Sequence, residues 1–206
     1  MSNKVDNRSR ATGDDDYQLV VSCQKGDVQA FEALVEKYQK RMLNIAYRMI
    51  GDYEEACEVV QDAFLSAYRA IRKFRGEARF STWLFSIVTN TSKNRLKQRK
   101  TQLRREGPSI DDPVVNEDGE SPREFPTQEP SLLEKLEKKE VQAKVQKCIE
   151  GLEEEYREVL VLRDIQGFSY DEIRDILKIP DGTVKSRLSR ARDALKDSLK
   201  RVLGDL

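Results

Sequence analysis

Apolar residues recur at helical spacing along most of the chain. Phe31, Leu34, Val35, Tyr38, Met42, Ile45, Ala46 and Met49 form one such series, and spacings of three and four place side chains on a single helix face. Asp27 stands where an N-cap belongs and Gly51 where a helix stops. A shorter helix is expected before it, ending near Gly26. "DYEE" then opens another helix with a capping box from Asp52 to Glu55, followed by the stripe Ala56, Val59, Val60, Ala63, Phe64, Ala67 and Ile71. A loop around Arg75–Phe80 precedes a helix capped by Ser81 or Thr82 and carrying Leu84, Ile87 and Val88. No segment alternates as a half-buried strand would.

Residues 107–130 hold five of the six prolines and two glycines, a composition that suits a linker. Helices are expected to resume at Ser131 with a capping box to Glu134, burying Leu133, Leu136, Val141, Val145, Ile149 and Leu152, then Tyr156, Val159, Leu160 and Leu162. The expected fold is all-α, with two small helical domains joined by a flexible acidic linker. Its divisions are a disordered tail over 1–16, a first domain over 17–105, the linker over 106–130 and a second domain over 131–206.

The second domain ends in "FSYDEIRDILKIPDGTVKSRLSRARDALKDSL". Ser169 and Glu172 form a third capping box, and Ile173, Ile176 and Leu177 give a short helix an inner face. Pro180 breaks that helix and Gly182 is expected to permit a tight turn. In the next helix Val184, Leu188, Ala191, Leu195 and Leu199 share an arc opposite Lys185, Ser186, Ser189 and Arg190. This is the layout of a helix-turn-helix, whose second helix meets base edges through its N-terminal residues. Arg and Lys suit guanine edges, Ser suits several bases, and Arg187 and Arg192 lie on the flanks where phosphates sit. The competing reading is an ordinary amphipathic helix with a solvated basic face.

Charge sharpens this picture. The 206-residue chain has zero formal net charge, so only the distribution is informative. Arg69–Arg105 carries twelve Lys/Arg against one acid, and Glu106–Pro130 eight acids against one base. Thr183–Arg201 carries seven bases against two acids. Two basic blocks flank an acidic one, and such blocks attract polyanions whatever the sum. The chain has no histidine, which removes His-based acid/base chemistry and leaves no plausible zinc site. No catalytic residue, metal site or cofactor is expected. Cys23, Cys57 and Cys148 form no C-x-x-C pair, in keeping with a reducing compartment. No apolar run approaches a bilayer span, so the expectation is a cytoplasmic protein without membrane insertion.

The first basic block poses a question of its own, because "FRGEARFSTWLFSIVTN" sets Phe74, Phe80, Trp83 and Phe85 beside it. Duplex readers seldom need exposed rings. Unpaired bases do use them, since stacking on an aromatic contributes ~1–3 kcal/mol per base. A loop with Phe74, Arg75, Phe80 and Trp83, followed by Asn90, Lys93 and Arg95, suits unpaired bases and their backbone. The rings equally suit a small helical core, and composition does not separate the two.

The motifs "KGDVQAFEALVEKY", "ACEVVQDAFLSAYRAIRKFRG", "FSTWLFSIVTN" and "LRDIQGFSYDEIRDILKIPDGTVKSRLSRAR", in this order around an acidic linker, resemble the extracytoplasmic-function (ECF) sigma factors of the sigma-70 family, of sigma-E or sigma-W type. The resemblance covers residues 17–100 and 131–202. It implies a region 2 domain, a region 4 domain and no region 3. The implied function is to direct core RNA polymerase to promoters and to promote melting of the −10 element, as in stress responses. Implied partners are core polymerase, through its β′ clamp helices and β flap, promoter DNA and an anti-sigma factor.

By the same resemblance "EVVQDAF" grips the clamp helices, giving Glu58, Gln61, Asp62 and Phe64 a docking role. Cys57 departs from the acid usual there. The "FRGEARFSTW" loop and Asn90 match elements that capture a flipped −10 base, which assigns Phe74, Arg75, Phe80, Trp83, Asn90, Lys93 and Arg95 to that site. Lys185, Ser186, Arg187, Ser189 and Arg190 match the −35 readers. The linker, in the polymerase's RNA exit path in this family, is either a nucleic-acid mimic or a tether. Fully extended, its residues reach ~80 Å, against ~70 Å between promoter elements two helical turns apart. Two rivals are a stand-alone helix-turn-helix regulator and a recombinase-type enzyme. The sequence shows neither a dimer seam nor a nucleophile constellation.

Overall fold

The computed structural model describes residues 15–106 and 132–204, with side chains over 15–105 and 138–204. Among the described residues the regular structure is entirely helical. The helices are α1 (Tyr17–Gln24), α2 (Val28–Ile50), α3 (Tyr53–Ala70) and α4 (Phe80–Glu106), then α5 (Leu132–Glu150), α6 (Glu154–Leu160), α7 (Tyr170–Leu177) and α8 (Asp181–Leu203). A 3₁₀ turn, Ile71–Lys73, follows α3, and a wide π turn, Val161–Ile165, extends α6. Most of the expected tail, the linker, the Ser131–Glu134 box and the Leu133 and Leu136 side chains lie outside the described residues.

The start and stop signals act where the sequence places them. The Asp27 carboxylate accepts from the Gln29 and Ala30 N–H groups at 3.0 and 3.2 Å. Asp52 accepts from Glu55 N–H at 2.8 Å, the forward half of its box. The Ser169–Glu172 box closes in both directions. Gly51 ends α2 with φ 88°, a left-handed conformation that costs an L side chain energy. A Cβ at Gly51 would also displace the Glu150 carboxyl of α5, the movable end of a side chain, so the backbone conformation is the stronger demand for glycine.

Three expectations are corrected. Neither Ser81 nor Thr82 caps α4: the helix begins at Phe80, with Trp83 N–H already donating to Arg79 O at 3.1 Å. Phe80 is the reason, since its 1%-exposed ring must enter the core on the first turn. Val141 is exposed, because residues 138–143 of α5 project beyond the helices that cover the rest of it. The left-handed residue of the helix-turn-helix is Lys178 (φ 57°), while Gly182 lies in the first turn of α8 facing open space.

Core packing follows the predicted stripes. Leu34, Met42, Ile45, Ala46 and Met49 of α2 meet Ala56, Val59, Ala63 and Ala67 of α3 and Leu84, Phe85 and Val88 of α4. Small residues on α3 let the helices approach closely. In the second group Val159, Leu160 and Leu162 pack on Ile173, Ile176, Val184, Leu188 and Ala191. The two groups share one continuous buried cluster. Phe85 of α4 meets Phe168, just before α7, edge-on at 5.0 Å.

Candidate nucleic-acid and partner interfaces

On α3 the residues opposite the core stripe are Glu58, Gln61, Asp62 and Leu65, all exposed. Their spacing of three and four makes them one face. Phe64 is different: half-buried, it meets Phe31 edge-on at 6.4 Å and supports the face rather than lining it. Glu58 is paired with Arg95 of α4, so one proposed partner-facing acid is tied to one proposed DNA-facing base. Sequence reasoning missed Leu65, which is 47% exposed. Its signal was an apolar residue interrupting an otherwise polar helix face.

The ring-bearing loop is built on α1. The Gln24 amide donates to Ile71 O at 3.1 Å and Phe74 O at 2.9 Å, pinning the chain as it leaves the 3₁₀ turn. Gln24 carried no recognisable sequence signal, because its partners are backbone carbonyls about fifty residues away. Three rings then nest together: Phe74 and Trp83 at 5.0 Å, Phe74 and Phe80 at 6.0 Å, Phe80 and Trp83 at 5.6 Å. Phe80 is the buried floor, whereas Phe74 and Trp83 are half-exposed. Arg75 is exposed, with Glu77 4.0 Å away. Seven residues beyond Trp83, Asn90 is exposed, with Lys93 one turn further on and Arg95 turned toward α3. The two readings of the rings therefore divide by residue, with Phe80 and Phe85 in the core and Phe74 and Trp83 at the surface.

On α8 Val184, Leu188 and Ala191 are buried, and Lys185, Ser186, Ser189 and Arg190 are exposed. Thr183 and Val184 N–H groups donate to Pro180 O, closing the first turn. Lys185 Nζ lies 2.8 Å from Asp181; that hydrogen bond, with the carboxylate's charge, raises its pKa further and keeps the amine cationic. Ser186 Oγ donates to Thr183 O at 3.1 Å. Arg187 is half-buried and paired with Glu155 at 2.6 Å and Glu158 at 3.4 Å. Arg192 grips Asp164 with two bonds of 2.8 and 2.6 Å. Four of the five proposed −35 residues thus form one solvent face, and Arg187 is drawn beneath it.

Glu158 is the unexpected residue here. It is 2% exposed, yet it receives Lys93 Nζ of α4 at 2.8 Å as well as Arg187. Burial pushes its carboxyl above the ordinary value, against the opposing pull of Lys93 and Arg187. One glutamate among the several of "EEEYREVL" gave no signal that it would be the buried one between two cations. Among the described residues no cluster suited to a metal ion occurs, and no helix is long and apolar enough to cross a membrane.

Comparison with known proteins agrees with this layout. Residues 34–102 match the Sigma-70 region 2 family and residues 142–195 the Sigma-70 region 4 family. The RNA polymerase sigma-H factor of Pseudomonas aeruginosa is 38% identical over 192 residues, spanning 93% of this chain and 97% of that protein. The ECF RNA polymerase sigma-E factor of Escherichia coli is 38% identical over 191 residues, spanning 90% and 94%. Among solved structures, CnrH in complex with the cytosolic domain of CnrY superposes with a TM-score of 0.64 at 25% identity, covering 91% of this chain and 99% of that one. RpoE of Bartonella quintana, solved with the anti-sigma factor NepR, gives a TM-score of 0.62 at 25% identity, covering 82% and 96%. Two family matches in the predicted order, and relatives matched over nearly their whole length, establish that the chain belongs to the ECF sigma factors of the sigma-70 family, which direct RNA polymerase to promoters.

Proposed function

We propose a division of labour among three surfaces of this sigma factor. Residues 17–105 act as the region 2 domain, with Glu58, Gln61, Asp62 and Leu65 of α3 docking on core polymerase. Phe74, Trp83, Arg75, Asn90, Lys93 and Arg95 engage single-stranded −10 DNA, with Phe80 as the floor that positions the rings. Residues 131–206 act as the region 4 domain, reading duplex −35 DNA through Lys185, Ser186, Ser189 and Arg190, with Arg187 behind them. The chain works by binding, in the cytoplasm alongside the polymerase, and has no hydrolytic step of its own. Neighbours solved with protein partners, CnrH with the cytosolic domain of CnrY and RpoE with the anti-sigma factor NepR, support an anti-sigma partner for this chain as well. The readings as a stand-alone regulator or a recombinase are not favoured.

The observation that carries this reading is the half-exposed pair of Phe74, in the loop before α4, and Trp83, in the first turn of α4, on the helix that also carries exposed Asn90. Rings and an amide offer stacking and edge contacts to an extruded base, while α8 offers a cationic and hydroxyl face of groove dimensions. Asn90→Ala is expected to impair open-complex formation on a linear duplex promoter. A template already mismatched across the −10 region partly rescues it, because melting at ~1.4 kcal/mol per stacked step is no longer required. Arg190→Ala shows no comparable rescue. Permanganate reactivity of unpaired thymines reads both variants on both templates, and equal rescue would end the division of labour. For the docking face, Asp62→Lys is expected to weaken core binding in a folded protein, and normal core affinity would remove that assignment.

A further inference from the structure

The ring nest is tied to α1 at two points. At the first, one side-chain amide does the work of two: Gln24 Nε2 donates to Ile71 O at 3.1 Å and to Phe74 O at 2.9 Å. Ile71 O also accepts from Phe74 N–H at 3.0 Å, so the amide brackets the exit of the 3₁₀ turn. Phe74 is the first residue beyond that turn and is extended, with φ −65° and ψ 121°. Its carbonyl is one of the groups that a helix end leaves without an intrahelical partner. Bonding it to Gln24 fixes the peptide plane that follows the Phe74 ring and opens the loop toward Phe80. The Phe74 ring is thereby held where it meets Trp83 at 5.0 Å.

At the second point the start of α1 reaches the floor of the nest. Fully buried Asp16 accepts from Lys37 Nζ at 2.5 Å and from the Tyr38 hydroxyl. The Tyr38 ring meets Phe85 edge-on at 5.6 Å and lies 6.1 Å from Phe80. Between these ends Val20 and Cys23 of α1 are buried in the core. The chain then turns sharply. Gly26 has φ 99°, Gly26 N–H donates to Cys23 O at 3.0 Å and Asp27 N–H to Ser22 O at 3.1 Å. Gln24 therefore projects from a backbone that is fixed before, beneath and after it.

We infer that Gln24 is a positioning residue for capture of the extruded −10 base, holding the Phe74–Trp83 pair in its stacking arrangement before DNA arrives. The inference rests on the role of those rings given under Proposed function. Gln24 acts through two backbone carbonyls and not on the DNA. A surface ordered in advance spends none of the stacking energy on its own ordering. Without the amide, the peptide after Phe74 is free to turn, and the ring pair is complete for only a fraction of the time. Affinity for the base falls by that fraction. Contacts from Arg75 and Lys93 to phosphate need no such plane, so the loss is confined to the base.

Two substitutions separate the donor from the bulk of the side chain. Gln24→Met keeps the length and removes both N–H groups, whereas Gln24→Lys offers ammonium donors to the same carbonyls. Each full chain is assembled with core polymerase. The probe is a single-stranded oligonucleotide carrying the non-template −10 strand of a promoter selected from a random library by the wild-type holoenzyme. A second series replaces each base in turn by an abasic unit. The wild type is expected to bind about fivefold to a hundredfold more weakly when the captured base is missing, the worth of one stacked base. In Gln24→Met that penalty is expected to shrink to about twofold, with affinity for the abasic strand unchanged. Gln24→Lys is expected to restore it, and the ratio of the two strands cancels the effect of the added charge. General damage to the fold would weaken both strands alike and leave the ratio intact. A full penalty in Gln24→Met, or no recovery in Gln24→Lys, overturns the assignment.

The free full chain gives a second reading, because Trp83 is its only tryptophan. Trp83 fluorescence anisotropy is expected to decay with overall tumbling in the wild type and in Gln24→Lys. A fast component, the signature of local motion on the nanosecond scale, is expected in Gln24→Met. Its absence overturns the positioning role without reference to DNA. The reading of the rings fails separately. If Trp83→Ala keeps the wild-type abasic penalty, the rings are not the stacking surface, and Gln24 then orders them with no part in capture, whatever the anisotropy shows.

Discussion

The two proposed DNA-reading helices differ in what stands behind their exposed residues. Behind the α4 reader lies a nest of rings whose innermost member, Phe80, is 1% exposed and belongs to the domain core. Behind the α8 reader lie Val184, Leu188 and Ala191, aliphatic residues that would serve any amphipathic helix. A surface for extruded bases needs large rigid planes, and such planes are held only by packing them into the fold. A surface for duplex edges needs charge and hydroxyl groups on a helix, and local bonds such as Lys185–Asp181 and Ser186–Thr183 steady them. Recognition and stability are therefore coupled in the first reader and separable in the second.

The sharpest way to break this contrast is to remove the floor of the first reader. Phe80→Ala is expected to cost about 3–5 kcal/mol of stability, the range for emptying an aromatic core site, and to abolish −10 capture with it. Ser189→Ala, at an exposed position of α8, is expected to stay within about 0.5 kcal/mol of wild type while altering preference at one −35 position. Urea unfolding and a promoter-variant binding panel read the two effects. A Phe80→Ala protein of normal stability would show that the ring nest is an accessory to the fold.

A finer contrast lies within α8 itself. Arg190→Ala is expected to cost about 1–3 kcal/mol of binding and to relax preference at one base position, as for a base-edge contact. Its stability should not change, because the side chain is exposed. Arg187→Ala removes a partner from Glu155 and from buried Glu158, so a stability loss of about 1–3 kcal/mol is expected alongside weaker DNA binding. If the two variants behave alike in both assays, the buried and exposed arginines are not distinct in role.

The sequence made much of this fold legible, and the exceptions have physical causes. Asp27, Gly51 and the Ser169–Glu172 box act within a few residues of themselves, so periodicity and capping rules located them. Val141 fitted its stripe but is exposed, because a helix pattern does not say where the covering helices end. Gly182 looked like the turn residue, yet Lys178 takes the left-handed conformation; the position of Pro180 fixes where α8 starts and leaves the glycine inside it. For the sites, residue type separated ring-bearing from cationic surfaces. It did not separate Phe80 from Trp83, two rings three residues apart of which only the first is fully buried. Gln24 and Glu158 were invisible for one shared reason: their partners are brought near by tertiary packing alone.

The smallest expected effect concerns Glu158 and is read as a trend with pH. Burial raises its carboxyl pKa in the folded protein above the ordinary 4.5, with the hydrogen bond and charge of Lys93 and the charge of Arg187 opposing. A raised acid binds its proton more readily folded than unfolded, so its contribution is fully present below about pH 4.5 and is lost as pH rises through the folded value. Glutamine has no such titration, and Glu158→Gln is nearly isosteric. The stability of the Gln variant relative to wild type should therefore rise between pH 4 and neutrality, levelling off above the folded pKa. Urea midpoints of both proteins at closely spaced pH values, in constant ionic strength, give the difference directly. A gap that moves the other way would mean that Lys93 and Arg187 outweigh burial, and that the carboxylate is held in the junction by its two cations more strongly than water would hold it.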